Sequence, residues 1–276
     1  MRNVFGSITK KGARVAVTAA FALATSGSAW AASTISSNAT DLQVSLSLLG
    51  ITPSLTVGTA SGSGPGAYSN SNSPTTVNTT LGLGTLLGQS VSTGLLSASA
   101  SSDGTTGQAN ATVNGLTLGL NALFTSFLSV SSGVISSTTT FDGSSFLGVS
   151  SIANLAVNSA VLTLPLNASA LVSTAANRTL VDILGLKITL NEQIASDTTS
   201  NGINTRSLTT NALHVSYNDF AFGGGLLNGD VIVGQSQVIA TQPVPEPATW
   251  AMMILGFGMI GAMLRRHKRT AVATPA

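Results

Sequence analysis

Between residues 32 and 244, apolar and polar positions alternate with a period of two, and helical periodicity is weak. Leu42, Val44, Leu46 and Leu48 are separated by Gln43, Ser45 and Ser47. Leu186, Ile188 and Leu190 alternate with Lys187, Thr189 and Asn191, and Leu213, Val215 and Tyr217 with Ala212, His214 and Ser216. Successive side chains on a strand point to opposite faces, so each run predicts a strand with one buried face. Asp230-Val231-Ile232-Val233-Gly234 predicts a last strand, entered from the turn Gly223-Gly224-Gly225. Thr and Val suit pleated surfaces; Ser and Asn are poor strand formers. Two such sheets packed face to face predict a mainly β fold, an antiparallel β-sandwich-like domain over 32–242. A β-solenoid is the alternative.

Two stretches are less regular. Ser61–Thr80, rich in Gly, Ser, Asn and Pro, reads as a loop, and the glycine-interrupted Leu81–Leu96 is ambiguous, with room for a short helix. There is also a faint repeat. Asp103-Gly104 is followed by Val113-Asn114-Gly115-Leu116, and Asp142-Gly143 at the same offset by Ile152-Ala153-Asn154-Leu155, a period of 39 residues. Asp-Gly suits a tight turn, so each unit fits a hairpin. The alternatives are a duplicated β-meander and coincidence.

Two apolar runs break the pattern, one at each end. Lys10, Lys11 and Arg14 precede the run Val15–Thr25, and Ala29-Trp30-Ala31 follows. A basic start, a short apolar middle and small residues at Ala29 and Ala31 predict a secretory signal peptide over 1–31, cleaved after Ala31. The second run, Thr249–Leu264, has sixteen residues and ends at Arg265, Arg266, Lys268 and Arg269. As a helix it reaches about 24 Å, slightly short of the ~30 Å hydrocarbon core. It nevertheless predicts a transmembrane anchor over about 249–264, with Trp250 at the outer interface. The four cations of 265–269 would form a cytoplasmic stop, and 270–276 a cytoplasmic tail. Just ahead, Pro243-Val244-Pro245-Glu246-Pro247 is an extended, solvated stretch that suits a protease cleft.

The motif Pro245-Glu246-Pro247, the helix with Trp250, Gly256, Gly258 and Gly261, and the cluster Arg265–Arg269 closely resemble the PEP-CTERM sorting signal. That resemblance implies recognition and processing by an exosortase, a membrane-embedded cysteine protease and presumed transpeptidase. It also implies a Gram-negative host that makes extracellular polysaccharide. The body is similar in places to the choice-of-anchor P proteins, at Val91–Ala100, Leu184–Gln193, Thr210–Val215 and Gly229–Gly234. That family supplies no activity and no catalytic residue to carry over.

Charge changes the picture at one point. A pI of about 9.3 suggests an anionic partner, but eight of the eleven bases lie before residue 15 or after residue 264. Residues 32–244 hold three bases against eight acids, or 3 − 8 = −5, without the clustered Lys and Arg that nucleic acid requires. There is no cysteine, which excludes disulfides, thiol catalysis and zinc-thiolate sites. His214 is the body's one histidine. With no Gly-x-Ser-x-Gly elbow beside it, it reads as a strand histidine bonded to its neighbours. Glu192 and Asp197, expected near a strand end, are the only close acidic pair, and glycoside hydrolysis needs two carboxyls. No cofactor, metal or catalytic residue is expected.

The expectation is therefore a non-enzymatic exported protein. It passes the secretion translocon, signal peptidase and an exosortase, contacts membrane lipid at least transiently, and ends at the cell surface or in the extracellular matrix. Extracellular polysaccharide is a candidate partner. A secreted polysaccharide hydrolase or a glycan-binding adhesin is the alternative.

Overall fold

A computed structural model describes residues 33–84, 86–122, 125–160, 162–164, 175–244 and 247–269; in the last of these segments the side chains described are those of 251–263 and 265. The signal-peptide expectation at Ala29 and Ala31 lies outside the described residues.

The body consists of two antiparallel sheets. The first has six strands, in the order β11 (Arg178–Ile183), β12 (Leu186–Ser200), β13 (Ile203–Phe222), β14 (Gly225–Pro243), β1 (Thr34–Ser47) and β2 (Ser54–Gly64). The second has eight: β3 (Tyr68–Ser71), β4 (Asn78–Gly82), β5 (Leu87–Thr93), β6 (Leu96–Ser102), β7 (Gly107–Ala122), β8 (Thr125–Phe141), β9 (Phe146–Ile152) and β10 (Ala156–Asn158). These eight make five lanes. β5 and β6 pair with successive halves of β7, β9 and β10 with successive halves of β8, and β4 and β3 flank β5 and β6. Every described pairing is antiparallel, which rules out the parallel coils of a solenoid. The alternating leucines and valines read from the sequence line the buried faces; Leu42, Leu186 and Leu213 are all inaccessible to solvent.

A waist crosses both sheets. On β1 the buried positions are odd up to Asp41 and even from Leu42. On β14 they are odd at Val231 and Val233, and even from Gly234 onward. β13 changes phase at Ala212–Leu213 and β7 at Gly115. The pairing registers place Asn191, Ala212, Gly234, Asp41 and Gly58 side by side at this level. Asn191, Gly234, Gly58 and Gly115 have φ of 49°, 65°, 70° and 60°. Left-handed residues at one level let each strand shift its pleat by one position, so both neighbours of the shift face inward.

The waist separates two interiors. The half toward the β1–β2 turn, here called distal, is filled with Leu, Val, Ile and Phe, such as Leu116, Leu128, Leu213, Phe220 and Leu227. The half toward Pro243, here called proximal, is built on Ala39, Ala60, Ala98, Ala100, Ala109, Ala111 and Ala240 around Ile35, Phe141 and Val238. Buried hydroxyls complete it. The Thr139 hydroxyl on β8 lies 2.8 Å from those of Thr210 on β13 and Ser236 on β14, joining the two sheets. A methyl group added at Gly107 or Gly148 would collide with Ile35 or Thr210 of the facing sheet, so the sheets approach closely here.

The 39-residue repeat is real. Asp103 and Asp142 each cap a turn with the same bonds, Oδ1 accepting the backbone N–H groups two and three residues on. Gly104 and Gly143 both have φ of 95°. The breaks match as well. Gly94 donates to the Asn114 carbonyl and Gly133 to that of Ala153, and Gly115 and Asn154 both adopt left-handed conformations. The second sheet is thus largely a duplicated hairpin.

Two expectations need correction. Ser61–Thr80 is not one loop: it contains the end of β2, all of β3 and the start of β4. Among the described residues, Leu81–Leu96 holds no helix but the end of β4, all of β5 and the start of β6. Lateral pairing on both sides of β5 outweighs the weak intrinsic strand preference of Gly and Ser.

Candidate functional site

The last strand leads directly into the candidate sorting segment. Pro243 still pairs with Ile203 at the end of β14, and the Val244 N–H donates to the Gly202 carbonyl at 2.7 Å. Pro245 and Glu246 lie outside the described residues, and helix α1 (Pro247–Arg269) follows. Proline suits the first position of a helix, where its missing N–H has no intrahelical role. Of the extended stretch expected over 243–247, Pro243 is the last residue of a paired strand and Pro247 the first of a helix.

Helix α1 has 23 residues and carries Gly256, Gly258 and Gly261 at positions where an added methyl would touch nothing. Met252, Ile254, Phe257, Met259, Ile260 and Met263 are exposed. Yet among the described residues no helix is long and apolar enough to cross a membrane, so the transmembrane span expected over 249–264, with Trp250 at its interface, is not supported. Only sixteen apolar residues precede Arg265, and three of them are glycine. Arg265, Arg266, Lys268 and Arg269 occupy the last turns of the helix, where cations complement its dipole.

A second group of polar residues lies on the outer face of the first sheet. His214 Nδ1 is 2.8 Å from Glu192 Oε2, and its Nε2 is 2.8 Å from Asp230 Oδ1. Asn211 donates to the same Glu192 oxygen at 2.7 Å, and Gln235 to Asn211 at 2.9 Å. The network ties β12, β13 and β14 together across the waist. Burial alone would lower the pKa of His214, but its bonds to the two carboxylates outweigh that and raise it. Glu192 is held below its usual range, first by the bond to His214. With both ring nitrogens engaged, the imidazole has no free nitrogen to serve as a base. Glu192 and Asp197 do not sit together: they lie five apart along β12 and so face opposite sides of the sheet. Nor are they at a strand end, since β12 continues to Ser200. Asp197 meets Asn204 and Arg206 instead.

Beneath the waist, Asp41 is fully buried. One carboxylate oxygen accepts the Thr112 N–H of the facing sheet at 3.0 Å, and the other has no partner. Burial pushes its pKa up to about 7, partly opposed by the Thr112 bond. A methyl at Gly58 would collide with this carboxyl, which is why glycine stands there. At the proximal end, a shallow cavity of about 720 Å³ lies among Tyr68, Ser101, Asp103, Gln108, Thr140 and Asp142. Both aspartates are turned onto their own turns, whose N–H groups lower their pKa values. Among the described residues no group of three or more His, Asp or Glu could hold a metal ion.

An antiparallel body whose final strand leads into proline residues, an apolar helix and a terminal run of cations has the architecture of a sorted cargo. Residues 243–269 match the family model of the PEP-CTERM protein-sorting motif. The motif indicates a protein targeted by an exosortase, and it implies export with a membrane-anchored precursor. No curated protein matches the chain.

Sequence reasoning found the motif and His214 but missed Asp41, Asn211 and Gln235. Asp41 follows Thr40 in the alternation, and nothing in one strand reveals that the pleat shifts after it. The partners of His214 lie 22 and 16 residues away and are fixed by register.

Proposed function

We propose that the chain is a non-enzymatic surface or extracellular-matrix protein, secreted through a signal peptide over 1–31 and processed by an exosortase at Pro245-Glu246-Pro247. The observation that carries this reading is the sorting motif at 243–269, which begins on the last residue of the last strand. The body 32–242 would be released or re-attached as a folded unit, because its pairing is complete by Val244. In the precursor, residues 265–269 would act as the cytoplasmic stop and Trp250 as a contact with the outer interface. The mature form would lie at the surface, in contact with extracellular polysaccharide. The body would be a choice-of-anchor P ectodomain; the stretches that resemble that family fall in β5, β6, β12, β13 and β14. Against the hydrolase alternative, Glu192 is bonded to His214 and Asn211, and the carboxylate of Asp230 is bonded to the other nitrogen of the same ring.

Replacing Pro245, Glu246 and Pro247 with alanine tests this. The variant should accumulate at full length in the inner-membrane fraction while the wild-type chain leaves it. Equal release of both would overturn the reading.

A further inference from the structure

Asparagine is among the thermally labile residues. It is most labile before glycine, because no side chain shields the next backbone nitrogen. The chain has three such pairs, Asn114-Gly115, Asn201-Gly202 and Asn228-Gly229. Two of them are held inside strands. Asn114 Nδ2 donates to the Leu95 carbonyl at 3.0 Å, and Gly115 lies within β7. Asn228 is held at both ends of its carboxamide: Oδ1 accepts the Asp219 N–H at 2.9 Å, and Nδ2 donates to Asp219 Oδ1 at 3.1 Å. Gly229 lies within β14, paired with Leu46 on one side and Tyr217 on the other. Asp103 and Asp142 also precede glycine, but their carboxylates are turned back onto the N–H groups of their own turns.

Asn201 and Gly202 are placed differently. They form the two-residue turn between β12 and β13, where Ser200 pairs with Ile203, and their φ values are 52° and 72°. Asn201 is exposed, and among the described residues no hydrogen bond holds its carboxamide. Gly202 lies outside both strands, so its N–H is not engaged in the ladder. The same turn also holds the end of the body. The Gly202 carbonyl accepts the Val244 N–H at 2.7 Å, one residue past the last strand and one before Pro245. The chemically weakest of the three pairs therefore sits where the folded body meets the candidate sorting segment.

We propose that Asn201 is a self-modification site, converted in water to aspartate and isoaspartate, and that this conversion frees Val244 from the turn. Local opening of the exposed turn lets the Asn201 backbone rotate until the side-chain carbon Cγ faces the Gly202 nitrogen. That nitrogen attacks Cγ and forms the new C–N bond. The Cγ–Nδ2 bond breaks, and Nδ2 leaves as ammonia with the proton that the Gly202 nitrogen gives up. The product is a five-membered cyclic imide. Water then adds to one of its two carbonyl carbons and opens the ring. Opening at Cγ leaves aspartate; opening at the backbone carbon leaves isoaspartate, whose main chain runs through the side-chain methylene. Either product adds a negative charge to the turn, and isoaspartate also lengthens the backbone just before the carbonyl that holds Val244. The step needs only water, and it does not depend on the exosortase reading.

The test is to age the full-length chain in mildly alkaline buffer, folded and in urea, and to map it by mass spectrometry. Lys187 and Arg206 flank the site, so trypsin releases Ile188–Arg206 with Asn201 inside. In the folded chain Asn201 should be modified severalfold faster than Asn114 and Asn228, with isoaspartate among the products. In urea the three sites should react at similar rates. Amide hydrogen exchange at Val244 should become severalfold faster in the aged folded chain. An Asn201→Gly chain, which keeps the turn and lacks the carboxamide, should show neither change. A folded chain in which Asn201 reacts no faster than Asn228, or stays intact while the unfolded chain reacts, overturns the proposal. Modification of Asn201 with Val244 still protected overturns the release of Val244.

Discussion

Distal to the waist, the sheets enclose leucines, valines and phenylalanines; proximal to it, alanines and hydroxyls. The chain topology is the same on both sides, since β1, β7, β8, β13 and β14 run through both halves. What differs is how the space between the sheets is filled. Burying a leucine contributes roughly 1.5–3 kcal/mol, and a single methyl about 0.8 kcal/mol. The distal half therefore draws on hydrophobic transfer. The proximal half relies on close approach and on hydrogen bonds between sheets, including the Thr139–Thr210–Ser236 cluster. A half of the second kind tolerates deletion of volume better than addition.

The largest expected effect is in the distal core. Leu213→Ala should cost about 3–5 kcal/mol in denaturant unfolding, because a rigid two-sheet frame cannot collapse onto the cavity. A cost similar to that of an exposed alanine substitution would remove the distinction between the halves. Next comes the waist. Asp41 has a folded pKa raised to about 7 from an ordinary 3.8, so the folded state holds the proton more tightly. Its contribution is most favourable below pH 4 and is lost as pH rises from about 4 to 7. Asp41→Asn should remove that loss, making the variant more stable than wild type by roughly 2–4 kcal/mol at pH 8 relative to their difference at pH 4. A constant difference across this range would mean that the carboxyl is solvated. In the proximal core, Ala109→Leu should cost about 1–3 kcal/mol through overpacking, with little effect on refolding at the distal end.

The smallest effect concerns the outer face. The pKa of His214 is raised in the fold, so its bonds to Glu192 and Asp230 stabilise fully below about pH 6.5 and fade as pH rises through the raised value. His214→Ala should cost about 1–2 kcal/mol at pH 5.5 and clearly less at pH 9. A cost that rises with pH would reverse the assignment.

The strand pattern, the last strand after Gly223–Gly225 and the sorting segment were legible because each is a local signal: alternation, glycine turns, and a motif with fixed order. The two-core arrangement was not. The waist depends on Asn191, Gly234, Asp41 and Gly58 reaching one level in neighbouring strands, and single-strand periodicity carries no register. Strands β3, β4 and β5 fall in stretches that read as loop or as ambiguous, since Ser, Gly and Asn pair into the sheet through neighbours rather than by preference. The repeat was visible at its Asp-Gly turns and at Val113–Leu116 and Ile152–Leu155; its matching glycines Gly94 and Gly133 acquire meaning once the breaks in the second sheet are seen. The helix at 247–269 was legible from its apolar run and the cations that end it.

The most direct test of the account is the intact mass of the mature chain, from cells with and without the exosortase. With the enzyme, the chain should begin near Ala32 and end near Pro245, without α1. Without it, the same start should be joined to an end at Ala276. Trimming near residue 245 in cells lacking the enzyme would contradict the central claim, as would an intact C-terminus in cells that have it.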